Sequence, residues 1–154
     1  MPFRYWPVFL AVILTVSCAG PEPLRVTTHV IRDQQTNNRG ADPMANNEKL
    51  RRLHGAVSMK EREQLLGQYF TIAWHHPEGR GTAPVTVNFD YIQGATGSRI
   101  QNQRREFPAE DASGTTEIAV TGDDYFEGGR VLAWQVTLRR GGELIATRQS
   151  YLWE

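Results

Sequence analysis

The distribution of apolar positions divides the chain into four stretches. Residues 8–16 are an apolar run interrupted only by Thr15. Residues 32–47 hold almost no apolar side chain. Residues 48–66 carry leucines at helical spacing. From residue 67 onward the period falls to two, as expected of strands with one face buried.

That last stretch predicts most of the fold. Tyr69 to Trp74 is dense in aromatic and β-branched residues, which favour strands. Val85, Val87, Phe89 and Tyr91 alternate with Thr86, Asn88 and Asp90. Residues 98–107 are polar and predict an edge strand, where Arg99, Arg104 and Arg105 deter pairing with another chain. Residues 115–120 predict a strand, and 122–129 a loop. Leu132, Trp134, Val136 and Leu138 share one face of a strand over 131–139. Gly141-Gly142 joins it to a last strand over 144–153. A two-residue type I′ turn needs φ > 0 at both positions, which glycine supplies. That turn pairs Arg140 with Glu143 and Leu138 with Ile145.

Upstream, Asn47 is placed to cap a short helix over 48–54, with Leu50 and Leu53 on one face and Gly55 ending it. Ser58 and Glu61 have capping-box spacing, and a second helix follows to Leu66, with Gly67 just past its end. Leu65, Leu66 and Val57 are expected to pack on the main domain. Residues 32–47 cannot bury enough surface to offset their ordering entropy. Residues 24–31 fit either a strand or a continuation of this polar segment; the extended, unpaired form is expected. The division is then 1–17, 18–47 as a flexible tether, 48–66 as a helical lead-in, and 67–154 as the folded domain. Its fold class is mainly β, a two-sheet antiparallel sandwich, with a small open barrel as the alternative. The texture of 67–154 resembles immunoglobulin and fibronectin type III domains. Tyr125 ahead of the 131–139 strand resembles their tyrosine corner.

Charge narrows the functional classes. Lysine plus arginine balance aspartate plus glutamate at 17 each. Loss of the first 17 residues would remove Arg4 alone. Such a chain lacks the basic excess that nucleic acid or anionic lipid selects, so no nucleic-acid partner is expected. Membrane attachment would need another device.

The amino terminus offers one. Arg4 precedes the apolar run, and small residues follow it. This is the layout of a secretory signal over 1–17. A run of nine residues falls well short of the roughly 20 needed to span a bilayer core. Cys18, the single cysteine, stands where the run ends. Thr15-Val16-Ser17-Cys18 resembles the lipobox of bacterial lipoproteins, with Thr15 at a position where that family prefers an aliphatic residue. The resemblance implies a lipid on Cys18 and cleavage before it. Cleavage after Ala19 at Ser17-Cys18-Ala19 is the alternative, and it would release a soluble protein. Ala19 in place of Asp implies, within that family, the periplasmic face of the outer membrane rather than the inner membrane. The chain also resembles short bacterial lipoproteins ending in Ser-Tyr-Leu-Trp, here residues 150–153, which implies no activity.

Candidate chemistry is sparse. His75-His76 with Glu78 could hold a metal if the chain turns at Pro77, although solvated loop histidines are the plainer reading. Asp123, Asp124 and Glu127, joined by Glu110 and Asp111, could bind calcium, but their spacing is not that of an EF-hand. Trp153 and Tyr125 could stack on sugar rings, whereas Trp134 and Trp74 suit a core. No serine sits in Gly-x-Ser-x-Gly, and no phosphate-binding glycine loop leads into a helix. The expectation is a non-enzymatic envelope lipoprotein, without cofactor, whose sandwich meets another envelope protein. The alternative is a ligand-binding module for glycan or metal.

Overall fold

A computed structural model describes residues 22–32 and 43–153. The signal segment, Cys18, and the tether stretches 18–21 and 33–42 lie outside the described residues. Among the described residues, seven strands and three short helices follow in the order β1 (Leu24–Ile31), α1 (Pro43–Leu53), α2 (Met59–Gln64), β2 (Gly67–His75), β3 (Val85–Gln93), β4 (Ile100–Phe107), β5 (Ser113–Thr121), α3 (Gly122–Gly128), β6 (Val131–Arg140) and β7 (Glu143–Gln149).

The strands form two antiparallel sheets, one ordered β1-β2-β5 and the other β4-β3-β6-β7. No ladder among the described residues joins them, so the architecture is a sandwich and not the barrel alternative. The strand order is that of an immunoglobulin-like sandwich: β1, β2 and β5 correspond to strands A, B and E, and β4, β3, β6 and β7 to C′, C, F and G.

The alternation in the sequence becomes the core. In β3, Val85, Val87, Phe89 and Tyr91 are buried while the residues between them are half exposed. They face Phe70, Ile72 and Trp74 of β2 and Ile118 and Val120 of β5. Phe70 and Phe89 meet at 4.6 Å between ring centroids, and Phe89 stacks on Trp134 at 6.4 Å. Trp74 lies flat on Gly114 of the neighbouring strand; a Cβ there would come within 2.9 Å of the indole. β4 is an edge strand, as its arginines led one to expect.

Several expectations are corrected. Residues 24–31 are strand β1, not tether: all eight pair with β2, and Leu24 and Ile31 are buried at its ends. The sandwich therefore draws a strand from upstream of the helices and is not confined to 67–154. Helix α1 starts at Pro43, so Asn47 lies within it; proline at a first helical turn costs no hydrogen bond and brings a helical φ. The segment 122–129 is helix α3, not loop. In β6, Ile92 pairs with Ala133 and Gln93 with Val131, so Leu132 is bulged out and 51% exposed. In the β6–β7 hairpin a bulge pairs Leu138 with Ala146 rather than Ile145, and the strand stops at Gln149. The turn itself is as expected, with Arg140 opposite Glu143 and positive φ at Gly141 and Gly142.

The helices cover one end. The Ser58 hydroxyl accepts from the Glu61 amide at 3.1 Å, and the Glu61 carboxylate accepts from the Ser58 amide at 2.9 Å, completing the expected capping box. Leu66 packs with Ile31 and Tyr69, whereas Val57 is 91% exposed and does not join them. Gly67 opens β2 at φ 150°. α3 is held by Gln93, whose buried amide donates to the Asp124 carbonyl at 2.8 Å and the Gly129 carbonyl at 2.9 Å.

Candidate functional site

Antiparallel pairing gives the sandwich two distinct ends. Leu24, Trp74, Gly114, Val85, Phe107 and the β6–β7 turn mark the lower end. Ile31, Gly67, Thr121, Gln93 and Val131 mark the upper end, where α1, α2 and α3 connect the strands.

The candidate metal residues sit at the lower end. His75 is the last residue of β2, and its amide donates to the Pro23 carbonyl at 3.0 Å. His76 opens the following loop, and its Nδ1 accepts from the Glu78 amide at 3.2 Å. That contact turns the chain back on itself and occupies one ring nitrogen. Among the described residues, no group of three histidine, cysteine, aspartate or glutamate side chains gathers around a common point.

The acidic residues are split between the ends. Glu110 and Asp111 precede β5, and Asp123 and Asp124 follow it. At about 3.3 Å per residue, the nine residues of β5 hold the two groups roughly 30 Å apart. They form no common site. Asp123 Oδ1 instead accepts from Gln64 Nε2 at 3.1 Å, tying α3 to α2.

Tyr125 lies on α3 at the upper end, whereas Trp153 follows β7, whose last residue Gln149 pairs with Gln135 midway along β6. Tyr125 is half-buried on α3, edge-on to Phe126 at 5.8 Å. It lies in the helix joining β5 to β6 rather than in strand β6 itself, so its setting differs from a tyrosine corner. Trp153 is also half-buried; its amide donates to the Ser150 carbonyl at 3.1 Å, and its carbonyl accepts from Gln149 Nε2 at 3.0 Å. The side chain most open to solvent in this region is Tyr151, at 97%. Trp74 is buried and Trp134 half-buried against the core.

A cleft of about 800 Å³ opens between α1 and α2 at the upper end, lined in part by Arg52, His54, Lys60, Glu61, Gln64 and Leu65. Its rim exposes Val57 and Met59 on either side of Ser58. Arg52 forms its floor. The guanidinium lies 4.0 Å from the centroid of the Tyr69 ring, and its two terminal nitrogens grip the two carboxylate oxygens of Glu117, Nη1 at 2.6 Å. Only 8% of the Arg52 side chain is exposed. Burial pushes the Tyr69 hydroxyl above its ordinary range, with Arg52 opposing, and that hydroxyl donates to the Leu65 carbonyl at 2.7 Å. The Ser58 and Val57 amides hold Glu61 below the ordinary carboxylate range. The cleft was not foreseen from sequence. Its capping box was visible, but Arg52, Tyr69 and Glu117 converge from three elements, and no local spacing announces that.

Among the described residues, no helix is long and apolar enough to cross a membrane. Set against family models, curated proteins and solved structures, the chain matches none.

Proposed function

We propose that the chain is an exported bacterial lipoprotein, anchored in an envelope membrane through a lipid on Cys18. Its sandwich then serves as a non-enzymatic module that meets another envelope protein. The position of Cys18 carries this reading. The single cysteine follows the apolar run at 8–16 and stands six residues before the first strand. A lipid there would tie the sandwich to the bilayer without a spanning helix. Exposed Leu50, Val57 and Met59 on the α1–α2 side, with Phe126 on α3 at the same end, support a protein partner.

The test is fractionation of cells expressing the native chain and Cys18→Ala. The native protein is expected in the membrane fraction, with a mass raised by the lipid. Cys18→Ala is expected to lose both. A variant that stays in the membrane with unchanged mobility refutes the anchor. Crosslinking in native membranes addresses the partner, and failure to recover any reproducible adduct through the upper end counts against it.

Tyr125, Trp153 and the exposed Tyr151 favour glycan as the second reading. Titration with soluble envelope glycan fragments should then quench Trp153 fluorescence, and Trp153→Ala should abolish the response. A zinc titration that leaves the His75 and His76 NMR signals unmoved would remove the metal version.

A further inference from the structure

We propose that the lower end of the sandwich rests on the phospholipid headgroup surface and that the helical end points away from the membrane. This rests on the lipid anchor at Cys18 proposed above, and it adds which surface meets the bilayer.

The argument is one of reach. The described chain is already fixed at residues 22 and 23. The Glu22 carboxylate pairs with Arg148 of β7, and the Pro23 carbonyl accepts from the His75 amide at 3.0 Å. Four residue steps separate Cys18 from Glu22. At 3.3–3.6 Å each, they span at most about 14 Å. β1 then runs eight residues away from that point, roughly 26 Å, before it reaches the helical end. A tether of about 14 Å is shorter than that length, so the sandwich cannot stand on its helical end with the lower end pointing away from the lipid. The tether holds the lower end within about 14 Å of the anchor.

The lower end is built as a braced surface. Arg140 Nη1 donates to the Gly79 carbonyl and Nη2 to the Asp111 carbonyl, both at 2.7 Å. One side chain so ties the loop after β2 to the loop before β5. The His76 amide donates to the Ala112 carbonyl at 2.8 Å, and the Gly141 amide to the Pro84 carbonyl at 3.2 Å. Three connections are thereby fixed to one another. Exposed charge there is of both signs, with Arg80 and Arg139 beside Glu78 and Glu110. The orientation follows from tether length rather than from attraction to anionic lipid.

The lipidated full-length protein in vesicles of phosphatidylethanolamine and phosphatidylglycerol provides the test. Lipid occupies the Cys18 thiol, so a single introduced cysteine takes the fluorophore. Glu78→Cys reports the lower end and Glu63→Cys the helical end; both side chains are exposed. Headgroup nitroxide lipids are expected to quench the label at 78 several-fold more than that at 63. Inserting about 20 Gly/Ser residues between Ala19 and Gly20 gives a coil of roughly 25 Å, which should erase the difference. Equal or reversed quenching in the native-length protein overturns the orientation. A difference that survives the insertion overturns tether length as its cause. Mass spectrometry of the same samples reads the anchor separately. Lipidated protein with equal quenching sinks the orientation alone, whereas protein without lipid sinks the anchor and the orientation together.

Discussion

At the scale of single residues, Arg52 joins α1 to β2 and β5. It stacks on Tyr69, pairs with Glu117 and floors the cleft. Glu117 is 40% exposed, which screens the pair and limits its worth. The cation–π contact and the packing of the arginine stem add to it. Arg52→Ala should cost about 1–2 kcal/mol, seen as a lower urea midpoint at unchanged slope. Glu61 gives a signed pH dependence. Its carboxyl is held below the ordinary 4.5 by the Ser58 and Val57 amides. A depressed carboxyl contributes stability that is present above the unfolded value and lost as pH falls through the folded one. Protection of the 58–62 amides against hydrogen exchange should therefore decline as pH drops below about 4.5, after correction for intrinsic exchange. Glu61→Ala should lack that decline.

At the scale of elements, the sequence was most legible where a strand reads its own surroundings. β3 alternates because one face looks into the core and the other does not, and the Gly141-Gly142 turn carries its own φ requirement. β1 was harder. Leu24, Val26, Thr28 and Val30 do share a face, but the register partners that decide their fate are Trp74, Ile72, Phe70 and Gln68, far along the chain. α3 was illegible for a different reason. Its glycines oppose a helix, and hydrogen bonds from Gln93 in another strand secure it. The bulges at Leu132 and Ile145 likewise come from pairing, which no single-strand pattern records. Of the candidate sites, the lone histidines and the divided acids were readable as residues, but their separation required the topology. Leu24→Ala separates strand from tether: it should lower stability by about 2–5 kcal/mol in chemical denaturation, where an unpaired tether would register nothing.

At the scale of the whole molecule, the sandwich closes only when its first and last strands are present. β1 and β7 lie at neighbouring edges of opposite sheets, linked by Glu22 and Arg148. Ending the chain at Gly142 would remove β7 and uncover Val136 and Leu138 of β6. That truncation should abolish cooperative thermal unfolding and native amide dispersion in NMR. The folded unit is thus larger than the alternating stretch alone, and the amino-terminal strand belongs to it as fully as the carboxy-terminal one.

The register of β1 has a mechanical side. On the proposed anchoring, a lipid at Cys18 would pull on the strand from its Leu24 end, while a partner on the helices would hold the opposite end. The load then runs lengthwise along β1, across interstrand hydrogen bonds that lie perpendicular to it. Loaded in this way, the ladder resists in shear, with its bonds sharing the strain at once. A pull at right angles would open them singly, like a zip. The same eight pairs that give the fold its first strand would make the protein a stiff link between a bilayer and whatever the helices grasp.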